Sequence, residues 1–132
     1  MIVKAVNTRS HSQLINITGL VSEAVTESEI SSGLVTVFVS HTTAGITINE
    51  NTDPDVTRDM LNILERTVPW KDADYRHFEG NTAAHMKASI MGNSTQVIVE
   101  DGELQLGTWQ GIYFCEFDGP RSRNVWIKAM GE

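Results

Sequence analysis

The sequence predicts an α+β domain, largely antiparallel β-sheet or sandwich with two or three inserted helices. Three observations predict it. Short runs rich in β-branched residues, such as LVTVFVS at 34–40, are of strand length and too short for helices. Between such runs stand segments whose apolar residues recur at helical spacing and whose starts carry capping residues. Turn formers, Asp101-Gly102 and Asp118-Gly119-Pro120, punctuate the late strands.

Taken in order, Ile2 to Thr18 alternates apolar and polar residues (IVKAV, then QLINI) around a turn near Ser10, the pattern of an opening hairpin. LVSEAVTESEI, residues 20–30, spaces Leu20, Ala24 and Glu27 as a short amphipathic helix that ends before Gly33. The run at 34–40 is a strand, and after the loop HTTAG the run ITINE resumes alternation, so these two read as neighbours in one sheet. Asp53 is placed to cap, and Pro54 to open, a helix with the stripe Val56, Met60, Ile63 and Leu64 that stops near Pro69. WKDADYRHFEG, 70–80, reads as an ordered loop lying over another element. Asn81 is placed to cap a shorter helix that runs through His85 to about Met91, where Gly92 ends it. Strands follow at Thr95 to Val99, around Leu104 to Phe117, and at Asn124 to Ala129.

A length of 132 residues fits one domain spanning 1–132, enough to bury ~65% of the surface of the unfolded chain around one core. No proline, glycine or serine tract is long enough to act as a linker, and no internal repeat is visible. The net charge of −7 sets the surface against polyanions, so nucleic acid is not an expected partner. Apolar runs fall far short of the ~20 residues that span a bilayer, so no membrane partner is expected. Met1-Ile2-Val3-Lys4 leads directly into strand-like sequence rather than a signal peptide, and the cytoplasm is the expected compartment. The single cysteine, Cys115, excludes an intramolecular disulfide and agrees with that expectation.

The polar chemistry gathers in a few places. Alternation puts His41 on the face of Val35, Val37 and Val39, at the end of an apolar strand face, where an imidazole can serve as a ligand. The same count puts Glu50 on the face of Ile46 and Ile48, a costly position for a carboxylate without a cation or hydrogen bonds. His77 and His85 lie eight residues apart across Gly80, a spacing that permits convergence without demanding it. Three imidazoles with an open position would make a Lewis-acid or hydroxide-generating metal site; the competing reading is three ordinary hydrogen-bonded histidines. His11, in the first turn, reads as exposed.

In IYFCEFDGPRSR, Glu116 and Asp118 share one strand face, and Arg121 and Arg123 follow. An arginine there can clamp a phosphate or carboxylate, or form a local ion pair with Asp118 or Glu116, and the sequence leaves both open. Cys115, among aromatics and without a basic neighbour, reads as core. The hydroxyls and backbone N–H groups of Thr42 to Gly45 can hold an anion, although HTTAG lacks the length and lysine of a phosphate-binding P-loop.

Together, HTTAGITINENTDPDV, YRHFEGNTAAHMKASIMG and DGELQLGTWQGIYFCEFDGPRSRNV resemble the YjbQ-like family, whose members are also called secondary thiamine-phosphate synthases. The resemblance runs in order from about Gly33 to Lys128, and LGTWQGIYFCEFDGPR is far more specific than any single histidine. It implies an α+β fold rich in β-sheet and a homotrimer with its polar site near subunit boundaries. It implies His41, His77 and His85 as ligands of a divalent metal, with zinc the expected ion. It also implies Glu50, Glu116 and Arg121 as catalytic residues, and Thr42, Thr43, Asn51, Asp118 and Arg121 as contacts to a small phosphorylated metabolite. The implied activity joins a hydroxymethylpyrimidine pyrophosphate to a thiazole phosphate and releases pyrophosphate. The principal synthase for that step is similar to TIM barrels of about 250 residues, so a chain of this size would supply only a secondary activity. The alternative is a trimer that binds a metal or phosphometabolite without turnover.

Overall fold

The computed structural model describes residues 1–132. Its elements are β1 (Ile2–Asn7), β2 (Gln13–Asn16), α1 (Thr18–Ser28), β3 (Gly33–Phe38), β4 (Ala44–Glu50), α2 (Pro54–Thr67), α3 (Thr82–Met91), β5 (Ser94–Glu100), β6 (Glu103–Leu104), β7 (Gln110–Glu116) and β8 (Ser122–Gly131). Two antiparallel sheets result, one in the order β1-β8-β3-β5-β6 and one in the order β2-β7-β4. The α+β class and the antiparallel pairing expected from the sequence are both present.

The core explains why the strands divide this way. One cluster of 16 buried residues draws Val35, Val37, Val97, Val125 and Ile127 from the larger sheet and Ile46, Ile112 and Phe114 from the smaller, with Val21, Ala24 and Val25 of α1 beside them. A second cluster on the other face of β7 joins Cys115 and Phe117 to Leu64 of α2 and to Ala84 and Ala88 of α3. Strand β7 is therefore buried on both faces, and the run from Gly111 to Phe117 is buried without interruption. No helix is long and apolar enough to cross a membrane.

Three local expectations are corrected. The residues 2–18 do not form a hairpin: β1 pairs with β8 (Ile2 opposite Ile127) and β2 pairs with β7 (Leu14 opposite Cys115). Val6 belongs to the large cluster and Leu14 packs against the small one, so the apolar faces of the two strands need different partners. For the same reason β3 and β4 are not neighbours but lie in opposite sheets. The single strand expected around Leu104 to Phe117 is two, because Gly107 and Gln110 close a turn through Gln110 N–H to Gly107 O and Gly107 N–H to Gln110 Oε1.

The helix ends divide similarly. Asp53 caps α2 by accepting from the Asp55 N–H at 2.9 Å, with Pro54 at the first turn, as the sequence predicts. Asn81 makes no side-chain cap on α3 and turns its amide elsewhere. Helix α2 is held to α3 by Glu65, whose carboxylate accepts from the buried Lys87 ammonium at 2.7 Å. Helix α3 is pinned in turn against β4: Ile46 N–H donates to Gly92 O, and a Cβ on Gly45 would stand 2.8 Å from that same oxygen.

Of the six passages of the chain between the sheets, the three crossings that matter for the site are at 8–12, 39–43 and 117–121, five residues each. The register puts Asn7 opposite Ser122, and both Gln13 and Ala44 opposite Glu116, so all three crossings lie at one end of the sandwich.

Candidate functional site

That end of the molecule carries the polar residues. Thr8 and His11 lie on the first crossing, His41, Thr42 and Thr43 on the second, Asp118 and Arg121 on the third, and the start of α3 adds Asn81 and His85. A cleft of about 430 Å³ opens among them, and a second of about 590 Å³ continues from His41 and His85 along α3 towards Ser89 and Asn93.

Beneath the cleft is a closed ion pair. Glu116 is fully buried, and its carboxylate accepts from Arg123 Nε (2.8 Å), Arg123 Nη2, the Thr8 hydroxyl (2.8 Å) and the Asp118 N–H (3.0 Å). Arg123 Nη2 also donates to Thr43 Oγ1 at 2.8 Å. Burial opposes ionisation of Glu116, but the hydrogen bonds from Arg123, the Asp118 N–H and Thr8 outweigh it and hold its pKa below the ordinary carboxylate value. The network fastens all three crossings to one another: Thr8 from the first, Thr43 from the second, Asp118 N–H from the third.

Asp118 forms the cleft wall above this pair. Asn81 Nδ2 donates to its Oδ2 at 2.9 Å, Arg121 Nη2 stands 3.2 Å from the same oxygen, and Arg121 Nε donates to the Asp118 carbonyl. On the far side His11 Nε2 is 4.0 Å from Oδ1. Arg121 is thereby held at its base while its side chain remains 49% exposed.

The histidines converge in part. The rings of His77 and His85 stand 5.5 Å apart, centroid to centroid, at 79°, and both line the smaller cleft with His41. Two imidazoles bound through nitrogen to one tetrahedral ion at about 2.0–2.1 Å have ring centres roughly 5 Å apart, so this pair fits a shared metal. Glu79 Oε1 lies 3.8 Å from His77 Nε2. No three His, Cys, Asp or Glu side chains are drawn close enough to form a complete ligand set as they stand. His41 Nε2 accepts the Asn124 N–H at 3.0 Å, which requires a lone pair there and puts the proton of the neutral ring on Nδ1. Burial, and then the Arg123 guanidinium, hold the pKa of His41 below its ordinary value.

Several residues singled out by sequence lie elsewhere. Glu50 and Asn51 are at the opposite end of β4: Ala44 is opposite Glu116 but Glu50 is opposite Gln110, ~20 Å along the strand. Glu50 has the predicted face but the wrong end, and Asn51 is occupied in donating to Gln110 O and Trp109 O. Glu116 and Thr43 are buried under the cleft as supports, while Thr42 is exposed on its rim. Cys115 is buried, and burial pushes its thiol up to about 12, in keeping with a core residue. Sequence reasoning leaves Arg123, like Arg121, open between an anion clamp and an ion pair with Asp118 or Glu116, and the structure shows the pair with Glu116; it does not select Asn81 or His11 for the site. Arg123 carries a visible signal, since it alternates with Val125 and Ile127 on an inward face and a buried guanidinium demands a carboxylate.

Fold and site together define a small two-sheet α+β protein with a histidine- and arginine-lined polar cleft where its crossings meet. The chain belongs to the UPF0047 protein YjbQ-like family, whose model matches residues 3–132. It is 56% identical over 126 residues to the UPF0047 protein YugU of Bacillus subtilis, covering 96% of both chains. It is 46% identical over 127 residues to the UPF0047 protein MJ1081 of Methanocaldococcus jannaschii, covering 96% of this chain and 91% of that one. The crystal structure of an uncharacterized conserved protein of the YjbQ/UPF0047 family from Clostridium acetobutylicum superposes with a TM-score of 0.96 at 57% identity, covering 98% of this chain and 100% of that one. A conserved hypothetical protein from Thermus thermophilus superposes with a TM-score of 0.92 at 38% identity over 98% and 100% of the two chains.

Proposed function

We propose that this protein is a cytoplasmic, metal-dependent enzyme that acts on a small phosphorylated substrate, with thiamine-phosphate formation as a secondary activity. The observation that carries the reading is the meeting, on one cleft, of an exposed arginine anchored at its base with a pair of histidines at metal-sharing distance. His77 and His85, joined by His41 once its ring releases the Asn124 N–H, would hold a divalent ion, with zinc the expected one. Such an ion supplies Lewis-acid charge beside phosphate oxygens. Arg121 offers its remaining N–H groups to the phosphate, Asp118 fixes the direction of that guanidinium, and Thr42 adds a hydroxyl at the rim. Proton movement within the cleft falls to the histidines or Glu79, because Glu116 is fully committed to Arg123 and Glu50 is remote.

The homotrimer belongs to the same proposal. It is supported by apolar side chains on the outer face of the larger sheet, where Leu34 is opposite both Ile98 and Met130 and all three are exposed. Sedimentation equilibrium at micromolar concentration is expected to return three times the chain mass.

The test of the enzyme reading combines elemental analysis with turnover. Gently purified wild type is expected to carry stoichiometric metal, lost in His77→Ala and His85→Ala while their circular dichroism spectra remain those of the folded protein. With both ring phosphates supplied, pyrophosphate release is expected to grow linearly with time in wild type and to vanish in His85→Ala. Metal-free wild type together with unchanged activity in the variant would overturn the reading. One observation favours a binding module instead: neither glutamate implied as a proton carrier is free at the cleft. In that case metal-loaded protein binds phosphate esters without producing product over time.

A further inference from the structure

The groove of about 590 Å³ that leaves the arginine cleft at His41 and His85 follows α3 to its far end, and its walls are fixed. Ile46 N–H donates to Gly92 O at 3.0 Å and Val39 N–H to Asn93 O at 2.7 Å, so the end of α3 is tied both to β4 and to the second crossing. Along the helix side the groove is lined by His85, Ala88, Ser89 and Asn93, and Ala44 closes the strand side. From His85 to Asn93 it runs roughly 12 Å, at about 1.5 Å per helical residue. The other end of α3 opens on the arginine cleft, where Asn81 holds Asp118 and Asp118 holds Arg121.

We infer that the groove along α3 is a subsite for a neutral, hydroxyl-rich arm of the ligand, so that the preferred substrate is the phosphate ester of a polyol or sugar and ring-bearing esters are poorer ligands. This rests on the anion reading of the arginine cleft. Other kinds of arm find little to hold them. Beyond the two imidazoles at its head the groove has no aromatic wall, and its apolar surface comes from Ala44 and Ala88, so a flat ring or an alkyl chain buries little there. No lysine or arginine lines it, and its far end is the C-terminal end of α3, whose partial negative charge disfavours a second phosphate. Hydroxyl groups do find partners. Ser89 donates its hydroxyl to His85 O and keeps lone pairs that accept, and the Asn93 amide both donates and accepts, which is what a diol requires. The dipole of α3 also orients the ligand, with the phosphate at the N-terminal end beside Arg121 and the hydroxyls towards Asn93.

The test compares ribose 5-phosphate, phenyl phosphate and inorganic phosphate by calorimetric titration into the full-length protein as purified. Ribose 5-phosphate is expected to bind roughly 10-fold more tightly than either of the others, the scale of one or two net hydrogen bonds. Ser89 and Asn93 are both exposed, so changing them leaves the core intact, and the double variant Ser89→Ala, Asn93→Ala should lose that preference while binding inorganic phosphate as wild type does. Phenyl phosphate binding as tightly as ribose 5-phosphate, or all three probes binding alike, overturns the hydroxyl subsite and leaves the anion cleft standing. A preference that survives the double change overturns its placement along α3. Absence of binding by every probe overturns the subsite and the anion reading together.

Discussion

Replacing Arg123 by methionine removes the guanidinium and keeps much of its length. Glu116 would then be a fully buried carboxylate that has lost two of its four hydrogen bonds and its only counter-charge, retaining the Thr8 hydroxyl and the Asp118 N–H. Breaking a buried pair in this way costs about 3–5 kcal/mol, because the surviving charge is uncompensated. For a chain of this size that corresponds to a fall in melting temperature of about 10–15 °C. The pH dependence should change with it. In wild type the pKa of Glu116 is lowered from the ordinary 4.5, so its stabilisation is complete above that pH and fades as pH falls through the folded-state value. In Arg123→Met the pKa rises, and the variant regains part of its deficit in acid as the carboxyl takes a proton. The assay is urea denaturation followed by circular dichroism between pH 4 and 8 at fixed protein concentration, on Arg123→Met, Glu116→Leu and the double variant. A coupling of about 2–3 kcal/mol is expected, the double variant being less damaged than the sum. Loss below about 1 kcal/mol in Arg123→Met, or additivity of the two changes, refutes the argument that this pair clamps the crossings.

Further outcomes follow from individual groups. Because the pKa of His41 is lowered from 6.5, the unfolded chain takes up that proton first as pH falls; stability should decline below pH 6.5 and level off beneath the folded-state pKa, and His41→Gln should flatten that part of the curve. Gly45→Ala places a methyl group 2.8 Å from Gly92 O and 3.0 Å from Met91 Cβ, and the shift it forces between β4 and α3 should cost about 1–3 kcal/mol in the same denaturation assay. Asp118→Ala frees Arg121 from its anchor, and phosphate affinity by calorimetry should fall roughly 10-fold, as expected when a preorganised charge becomes mobile. Cys115, with its thiol near 12, should resist a thiol reagent at pH 8 in the folded protein and react at once in denaturant.

What the sequence discloses is mostly local. Alternation identifies β3 and β4 as strands and puts Glu50 on the face of Ile46 and Ile48, since side-chain period is a property of the strand itself, whereas His41 lies past the end of β3, on the second crossing. Partnership is not local. Whether β1 pairs with β2 or β8 is decided by which cluster Val6 and Leu14 can enter, and that depends on residues more than a hundred positions away. The same limit applies to Asn81, whose residue type promises a helix cap but whose amide is claimed by Asp118, 37 residues on. It applies to His11, exposed by every local criterion yet beside Asp118 because the first and third crossings are laced together by Gly119 N–H donating to His11 O. Position along a strand also escapes alternation, which is how Glu50 has the right face and lies far from the cleft.

The three crossings give the cleft an unusual dependence on folding. No one sheet contains it: its walls come from chain segments that meet only after both sheets have docked, so any opening between the layers dismantles it. A compound that occupies it therefore draws its binding energy against global unfolding rather than against the loosening of one loop. At a hundred times its dissociation constant such a compound adds about 2.7 kcal/mol to the stability of the whole chain. That is a displacement of about 8 °C in melting temperature for a protein of this length. The molecule is thus its own detector, and a metabolite library read by heat alone can reveal what it has been shaped to hold.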